Sequence, residues 1–187
     1  MREAVKKLVG AALGEYSTYL IYGWGPGDGT ADSSTLASRF EVRPMDGAAV
    51  AGISSSVLKD QSSYAGDGAV TYGCFDGNRV AGLCFYWHGA RYRRRNFITL
   101  EAGEAKLVQI ITDSDMRGQG VARTLIAASS GDMAHRGFRR LFARIWHSNQ
   151  ASISAFEHAG WSRMGLIVEI NPLRRPSGWR LYDNFRR

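Results

Sequence analysis

The sequence predicts a mixed α/β domain, and three observations carry that class. Apolar, strand-like runs alternate with stretches of helical periodicity from Phe40 to Ile170. Residues Ala69–Phe75 and Arg79–Trp87 flank Asp76-Gly77-Asn78, a hairpin signal that makes part of the sheet antiparallel. A buried-strand pattern at Leu107, Val108, Ile110 and Ile111 then runs through a polar turn into Arg117-Gly118-Gln119-Gly120-Val121-Ala122, where a helix begins.

The 187 residues suffice for one domain with a full core and some decoration. Hydrophobic and charged contents of 44% and 22% are those of an ordinary globular chain, and no apolar run approaches the ~20 residues of a membrane span. Near the start, Val5, Leu8, Val9, Ala12 and Leu13 form one stripe of a short basic helix. Such a helix docks on its own domain or lies on an anionic membrane. The apolar segment behind Lys6 and Lys7 is too short, and lacks the cleavage site, for a signal peptide, so a cytoplasmic location is expected. Tyr16–Trp24 reads as an edge strand, and Gly25–Arg39 as a Gly/Ser-rich linker. The expected organisation is therefore an N-terminal arm at 1–39, a main domain at 40–172, and a basic tail at 173–187 in which Trp179–Tyr182 adds a last strand.

Within the main domain, Phe40–Pro44 is a strand halted by its proline. Asp46 caps a helical stretch carrying Val50, Ile53 and Val57 on one face. Arg91, Arg93, Arg94 and Arg95, with Tyr92 and Phe97, form a basic-aromatic run expected at a solvated or substrate-facing rim. After the glycine corner, Val121, Leu125 and Ala128 set a helical stripe ended by Gly137. Leu141–Trp146 is a strand, a helix runs through Ala159, and Met164–Ile170 is a further strand. Cys74 and Cys84 lie at unequal distances from the hairpin turn, so they read as two reduced core thiols. Neither they nor the four histidines have metal-ligand spacing, and no metal is expected.

The net charge of +7 favours anionic partners, among them coenzymes, phosphorylated substrates and membrane surfaces; nucleic acid is the weaker fit for the one basic-aromatic cluster. The glycine corner itself suits an anion. Glycine allows close backbone approach, and the first-turn N–H groups of a helix lack partners at the positive end of the helix dipole. A dinucleotide fingerprint is excluded, because the spacing differs and the next strand carries Arg139, Arg140 and Arg144 instead of an acid. A phosphate-binding P-loop is excluded by the missing Gly-Lys-Ser/Thr.

Arg117–Ala122 matches Gln/Arg-x-x-Gly-x-Gly/Ala at every defined position, and Asn149–Trp161 matches Asn-x-x-(small)-x-x-x-(Tyr/Phe)-Glu-x-x-Gly-Phe closely at the usual distance downstream. On these two segments the chain resembles the Gcn5-related N-acetyltransferase (GNAT) superfamily over about residues 40 to 172. The resemblance implies a mixed, mostly antiparallel sheet flanked by helices and splayed between its central strands, 104–112 and 139–146. It implies acetyl-CoA as acyl donor and a primary amine as acceptor. Main-chain groups of Ile110, Ile111 and Thr112 would hold pantetheine, and Arg117, Gly118, Gln119, Gly120, Val121 and Ala122 the pyrophosphate. Asn149 would reach the pantetheine or the thioester end, and Phe156 would pack along it.

For catalysis the resemblance offers two candidate bases, Glu104 at the start of the central strand and His147 at the end of its partner. The tyrosine that often serves as the acid is replaced by Phe156, with His158 and Tyr182 as substitutes. The basic surface argues for an anionic acceptor such as a nucleotide-linked amino sugar, and a faint likeness to acetyltransferases of polysaccharide and cell-envelope biosynthesis points the same way. The alternatives are acetylation of proteins or peptides, and a non-catalytic acyl-CoA-binding module. The oligomeric state stays open, a homodimer included.

Overall fold

Eight strands form one twisted sheet in this computed structural model, which describes residues 15–27, 39–93, 97–171 and 179–183. In chain order the strands are β1 (Glu15–Trp24), β2 (Phe40–Met45), β3 (Ala69–Asp76), β4 (Arg79–Trp87), β5 (Glu104–Thr112), β6 (Arg140–Trp146), β7 (Ser162–Asn171) and β8 (Trp179–Asp183). Their spatial order is β2-β3-β4-β5-β6-β1-β7-β8. Every pairing is antiparallel except β5 with β6. The mixed sheet expected from the sequence is present. The stripe at Val5–Leu13 and the residues Arg94 and Arg95 lie outside the described residues.

The hairpin forms as its turn chemistry requires, with Asp76 opposite Arg79 and Gly77 at φ +58°. Cys74 stands opposite Gly82 and Cys84 opposite Tyr72, and both are buried free thiols. Burial pushes both up to about 12, so neither is a thiolate at neutral pH.

Two helices cover one face of the sheet: α4 (Val121–His135) and α5 (Gln150–His158). Their core contains Leu107, Val121, Leu125, Leu141, Phe156 and Trp161. Ala128 is exposed, and the buried face of α4 continues through Ser129 and Ser130 instead. Their hydroxyls can be buried because they have partners, Tyr86 at 2.9 Å and the Trp161 indole N–H at 3.0 Å. The opposite face carries α1 (Gly47–Ala51) and α2 (Ser56–Lys59), with the short α3 (Gly89–Tyr92) after β4. Asp46 caps α1 by accepting the Ala49 N–H at 2.7 Å. The helical stretch stops at Gly52 and restarts at Ser56, so its phase is reset. Leu58 takes the buried place that the pattern assigned to Val57, which is 37% exposed.

Two expectations are overturned by long-range pairing. Tyr16–Trp24 is an interior strand, hydrogen-bonded to β6 on one side and β7 on the other. Leu20 and Tyr22 enter one core and Ile21 the other, so both faces are buried. Residues 15–24 are thus part of the sheet, and not of a separate arm. Pro44 does not end its strand, because β2 is the edge and its missing N–H faces no partner strand. The strand expected at Trp179–Tyr182 forms β8, paired with β7 at the other edge. Among the described residues no helix is long and apolar enough to cross a membrane.

Candidate active site

The site begins where β5 leaves β6. The two strands pair from Glu104–Arg140 to Leu107–Ala143 and no further. At the same point β5 carries a bulge against β4, since Phe85 faces Gln109 while the next residue, Tyr86, faces Leu107. An extra residue on one strand bends it and increases its twist. Val108 is that residue, and beyond it β5 swings away from β6. Ile110, Ile111 and Thr112 stay paired with β4 on one side, leaving the other side of the strand open to the gap. An open strand edge offers N–H and C=O groups to an amide-bearing ligand.

Beyond Thr112 the chain turns through a 3₁₀ segment, Ser114–Met116, into the glycine corner. Gly118 and Gly120 hold φ of +75° and +85°, and no atom lies within 4 Å of where a Cβ would stand at either. Gly120 is the N-cap of α4, and the first helical hydrogen bond runs from Thr124 N–H to Gly120 C=O. The N–H groups of Val121, Ala122 and Arg123 precede it and face outward unpaired within the helix. The helix comes this close to the sheet because of Gly82: a Cβ there would meet Ile111 O at 2.8 Å and Val121 Cγ1 at 2.9 Å.

A groove of about 750 Å³ joins these parts. Its lining includes Ile110–Thr112 from β5, Arg117, Gly118 and Gly120–Arg123 from the corner and α4, and Asn149, Ala151, Ser152, Ser154, Ala155 and His158 from α5. No aspartate or glutamate is among these residues. The side chain of Asn149 caps α5, accepting the Ser152 N–H at 3.1 Å.

Of the cofactor residues expected from the sequence, Ile110, Ile111, Thr112, Arg117, Gly118, Gly120, Val121, Ala122 and Asn149 line this one groove. Gln119 contributes only backbone to the corner. Its amide turns outward, donating to Asp115 O at 3.0 Å and accepting from Arg39 at 3.3 Å. Phe156 differs from expectation. It is buried in the core, edge-to-face with Trp161 at 5.0 Å and 6.1 Å from Tyr22, and does not line the groove. The groove-lining positions of α5 are 151, 152, 154, 155 and 158, and residue 156 falls on the sheet-facing side of the same helix.

The candidate bases separate. Glu104 is at the closed end of β5, opposite Arg140, about 20 Å of strand from Ile110. Its Oε2 accepts the Glu101 N–H at 2.9 Å, which ties down the turn before the strand. It is a turn-holding residue remote from the gap. His147 is exposed at the open end, where its backbone N–H donates to Thr18 O and its Nδ1 lies 3.1 Å from the same oxygen. Tyr182 belongs to β8, four strand spacings or about 19 Å from β5.

The other face of the sheet carries Arg144, which the sequence places on β6, and residues that it did not single out. Arg144 Nη1 bonds Glu169 Oε1 at 3.0 Å across β1, and its guanidinium lies 4.3 Å from the centre of the Tyr19 ring. Trp146, 42% exposed, sits edge-on to Tyr19 at 4.9 Å. Lys106 lies 4.2 Å from the Phe97 ring centre, and the Gln109 amide donates to Gln61 at 2.8 Å. No local signal links Gln61 to Gln109 or Arg144 to Glu169, because each pair meets only through the sheet. The expected basic rim is partly structural: Arg91 donates to the carbonyls of Ser63, Ala65 and Asp67 and stacks on Trp87.

The profile of the Acetyltransferase (GNAT) family matches residues 41–161. The chain belongs to this family. Its β1 lies outside the matched segment, so the strand inserted between β6 and β7 precedes the profile in sequence. Among solved structures, the chain is similar in fold to a GNAT-family acetyltransferase from Colwellia psychrerythraea, with a TM-score of 0.57 and 15% identity over 89% of this chain and 60% of that one. It is also similar to a putative GNAT-family acetyltransferase from Novosphingobium aromaticivorans, with a TM-score of 0.53 and 16% identity over 83% and 64%. A third is AAC(6')-Iy in complex with the bisubstrate analog CoA-S-monomethyl-acetylneamine, with a TM-score of 0.50 and 16% identity over 67% and 92%. The chain therefore spans less than two thirds of the first two proteins. The comparison with curated protein sequences gave no match.

Proposed function

We propose that the chain is an acetyl-CoA-dependent N-acetyltransferase that moves acetyl directly onto the primary amine of a small anionic acceptor, such as a nucleotide-linked amino sugar. The observation that carries this reading is the gap between β5 and β6, whose two faces differ in chemistry. On the α4–α5 face it meets a groove lined by cations, open glycines and no carboxylate, which fits the pyrophosphate and pantetheine of CoA. On the other face, Arg144 pairs with the carboxylate of Glu169 and lies over the Tyr19 ring, beside the exposed indole of Trp146. A sugar ring can lie on the indole while a phosphate is drawn to the Arg144 guanidinium.

Direct transfer needs the amine as a free base, held beside the acyl carbon. We assign the proton acceptor to His147. With Nδ1–H donated to Thr18 O, its Nε2 carries the lone pair that receives the amine proton. The departing thiolate is a fair leaving group, since a free thiol titrates near about 8.5, and solvent can return its proton. No hydroxyl at position 156 is then required.

The experiment is thiol release from acetyl-CoA across a panel of amines: nucleoside-diphosphate amino sugars, free amino sugars, an aminoglycoside and N-terminal peptides. Release with the nucleotide-linked amines, at a KM below that of the free sugars, is expected. Release only with peptides would transfer the reading to protein acetylation. Thermal stabilisation by CoA without release on any amine would leave a binding module.

A further inference from the structure

We infer that Tyr19 is a positioning residue for the acceptor: its ring fixes Arg144 and Trp146, and so sets a preference for an amine that carries both a sugar and a phosphate. The inference rests on the acceptor reading above and deepens it. Tyr19 belongs to β1, which precedes residues 41–161, so the matched family segment does not supply it. It reaches the site because β1 runs between β6 and β7, with Tyr19 opposite Trp146 and Ser17 opposite Glu169. Arg144 is the first residue of β6 beyond the pairing with β5. Successive residues of a strand alternate between faces, so Arg144 and Trp146 share one face. Tyr19 shares it with them, directly across from Trp146 and diagonal to Arg144.

The half-buried Tyr19 ring touches both residues. Its centre is 4.3 Å from the Arg144 guanidinium and 4.9 Å from the centre of the Trp146 ring, which stands perpendicular to it. Two long side chains beside an open gap would otherwise sample several rotamers, and the acceptor would have to order them on binding. At Arg144 the ring meets the guanidinium while Glu169 takes Nη1 at 3.0 Å. Among the described residues Nε and Nη2 make no hydrogen bond, so these donors can meet a phosphate. At Trp146 the edge contact holds an indole that is 42% exposed, with its ring centre 6.2 Å from that of His147, the proton acceptor assigned above. A sugar seated on that indole stays within reach of His147. The Tyr19 hydroxyl makes no hydrogen bond among the described residues, and both contacts use the ring. A side chain that only filled space could be replaced by any apolar group of its volume, whereas these two contacts need an aromatic quadrupole.

The test is steady-state thiol release by the wild type, Tyr19→Phe and Tyr19→Met, with a nucleoside-diphosphate amino sugar and the free amino sugar as acceptors. Methionine fills much of the same volume without an aromatic face, while phenylalanine keeps the face and drops only the hydroxyl. Tyr19→Met should raise KM for the nucleotide-linked acceptor about five- to tenfold, the combined range of one cation–π and one aromatic contact. KM for the free amino sugar should rise about threefold or less, because only the indole contact is lost there. KM for acetyl-CoA and kcat should stay within about twofold, and Tyr19→Phe should match the wild type within about twofold on every constant. In an Arg144→Gln background, Tyr19→Met should add about threefold or less, since the two residues act through one contact. An unchanged KM in Tyr19→Met, equal rises for both acceptors, or full additivity with Arg144→Gln would overturn the inference. So would loss of folding or of CoA binding in Tyr19→Met, which would make Tyr19 a packing residue. A wild type with no preference for the nucleotide-linked over the free sugar would instead overturn the acceptor reading itself.

Discussion

Two concavities flank the C-terminal end of β5, one on each face of the sheet, and the larger is the less promising. The groove against α4 and α5 measures about 750 Å³; the one beneath α1 and α2 measures about 970 Å³ and is lined by Ser54–Ser56, Asn78, Arg79, Asp113 and Asp115, among others. In the larger one the charges satisfy each other. Arg79 donates to Asp113 at 2.9 Å and to Asp115 at 2.6 Å, while Asp113 also accepts from Ser55 Oγ at 3.1 Å and the Ser114 N–H at 3.0 Å. The Arg79 guanidinium holds the Asp113 carboxyl below the usual carboxylate range, with the Ser55 and Ser114 bonds adding to it. In the smaller groove the cations have no carboxylate to meet, and Arg123 Nε has no partner among the described residues. A network closed on itself holds the fold together, whereas a surplus of one charge sign with open backbone donors is a request for a ligand.

The largest effect that would break this contrast is at the glycine corner. Gly120→Glu puts a side chain on a residue with φ of +85° and a negative charge among the anion-binding N–H groups. CoA affinity should fall by more than about a hundredfold, the penalty of an unpaired like charge in such a nest, as read by titration. Unchanged affinity would move the ligand elsewhere.

Arg79→Ala should show the opposite signature. Removing it strips a nearly buried carboxylate of its cation, so the urea-unfolding midpoint should fall, while CoA affinity stays within about twofold. The pH dependence follows from the sign of the Asp113 shift. A carboxyl lowered in the folded state adds stability above its unfolded value of about 3.9, and that stability is lost as the pH falls below it. The acid-unfolding midpoint of Arg79→Ala, followed by circular dichroism, should therefore lie at higher pH than that of the wild type.

A smaller effect separates the two sides of α5. Phe156→Tyr adds a hydroxyl inside the apolar cluster with Tyr22 and Trp161, and should cost about 1–2 kcal/mol of stability with no gain in turnover. A several-fold rise in kcat would show that residue 156 reaches the groove after all. Tyr22 illustrates the cost of such a group: burial first, and then its 2.7 Å bond to Glu157, push its phenol up to about 12.

How much was legible in the sequence depended on the range of the interaction that made each feature. The hairpin and the β5-to-α4 corner were readable, because glycine at positive φ, helix N-termini and apolar periodicity act over a few residues, whereas Ile110–Thr112 and Asn149 were named only through the family resemblance. The position of β1 was not read, although Leu20-Ile21-Tyr22 carried a clue: three successive apolar residues suit a strand buried on both faces better than an edge. The fold class and the anion corner were thus determined by the chain's own local chemistry. Only the tertiary structure decided that β5 bulges at Val108 and leaves β6, that Glu104 falls at the closed end and His147 at the open one, and that Phe156 turns into the core. Each of those outcomes depends on strand register between segments far apart in the chain, and register is set by how whole faces pack.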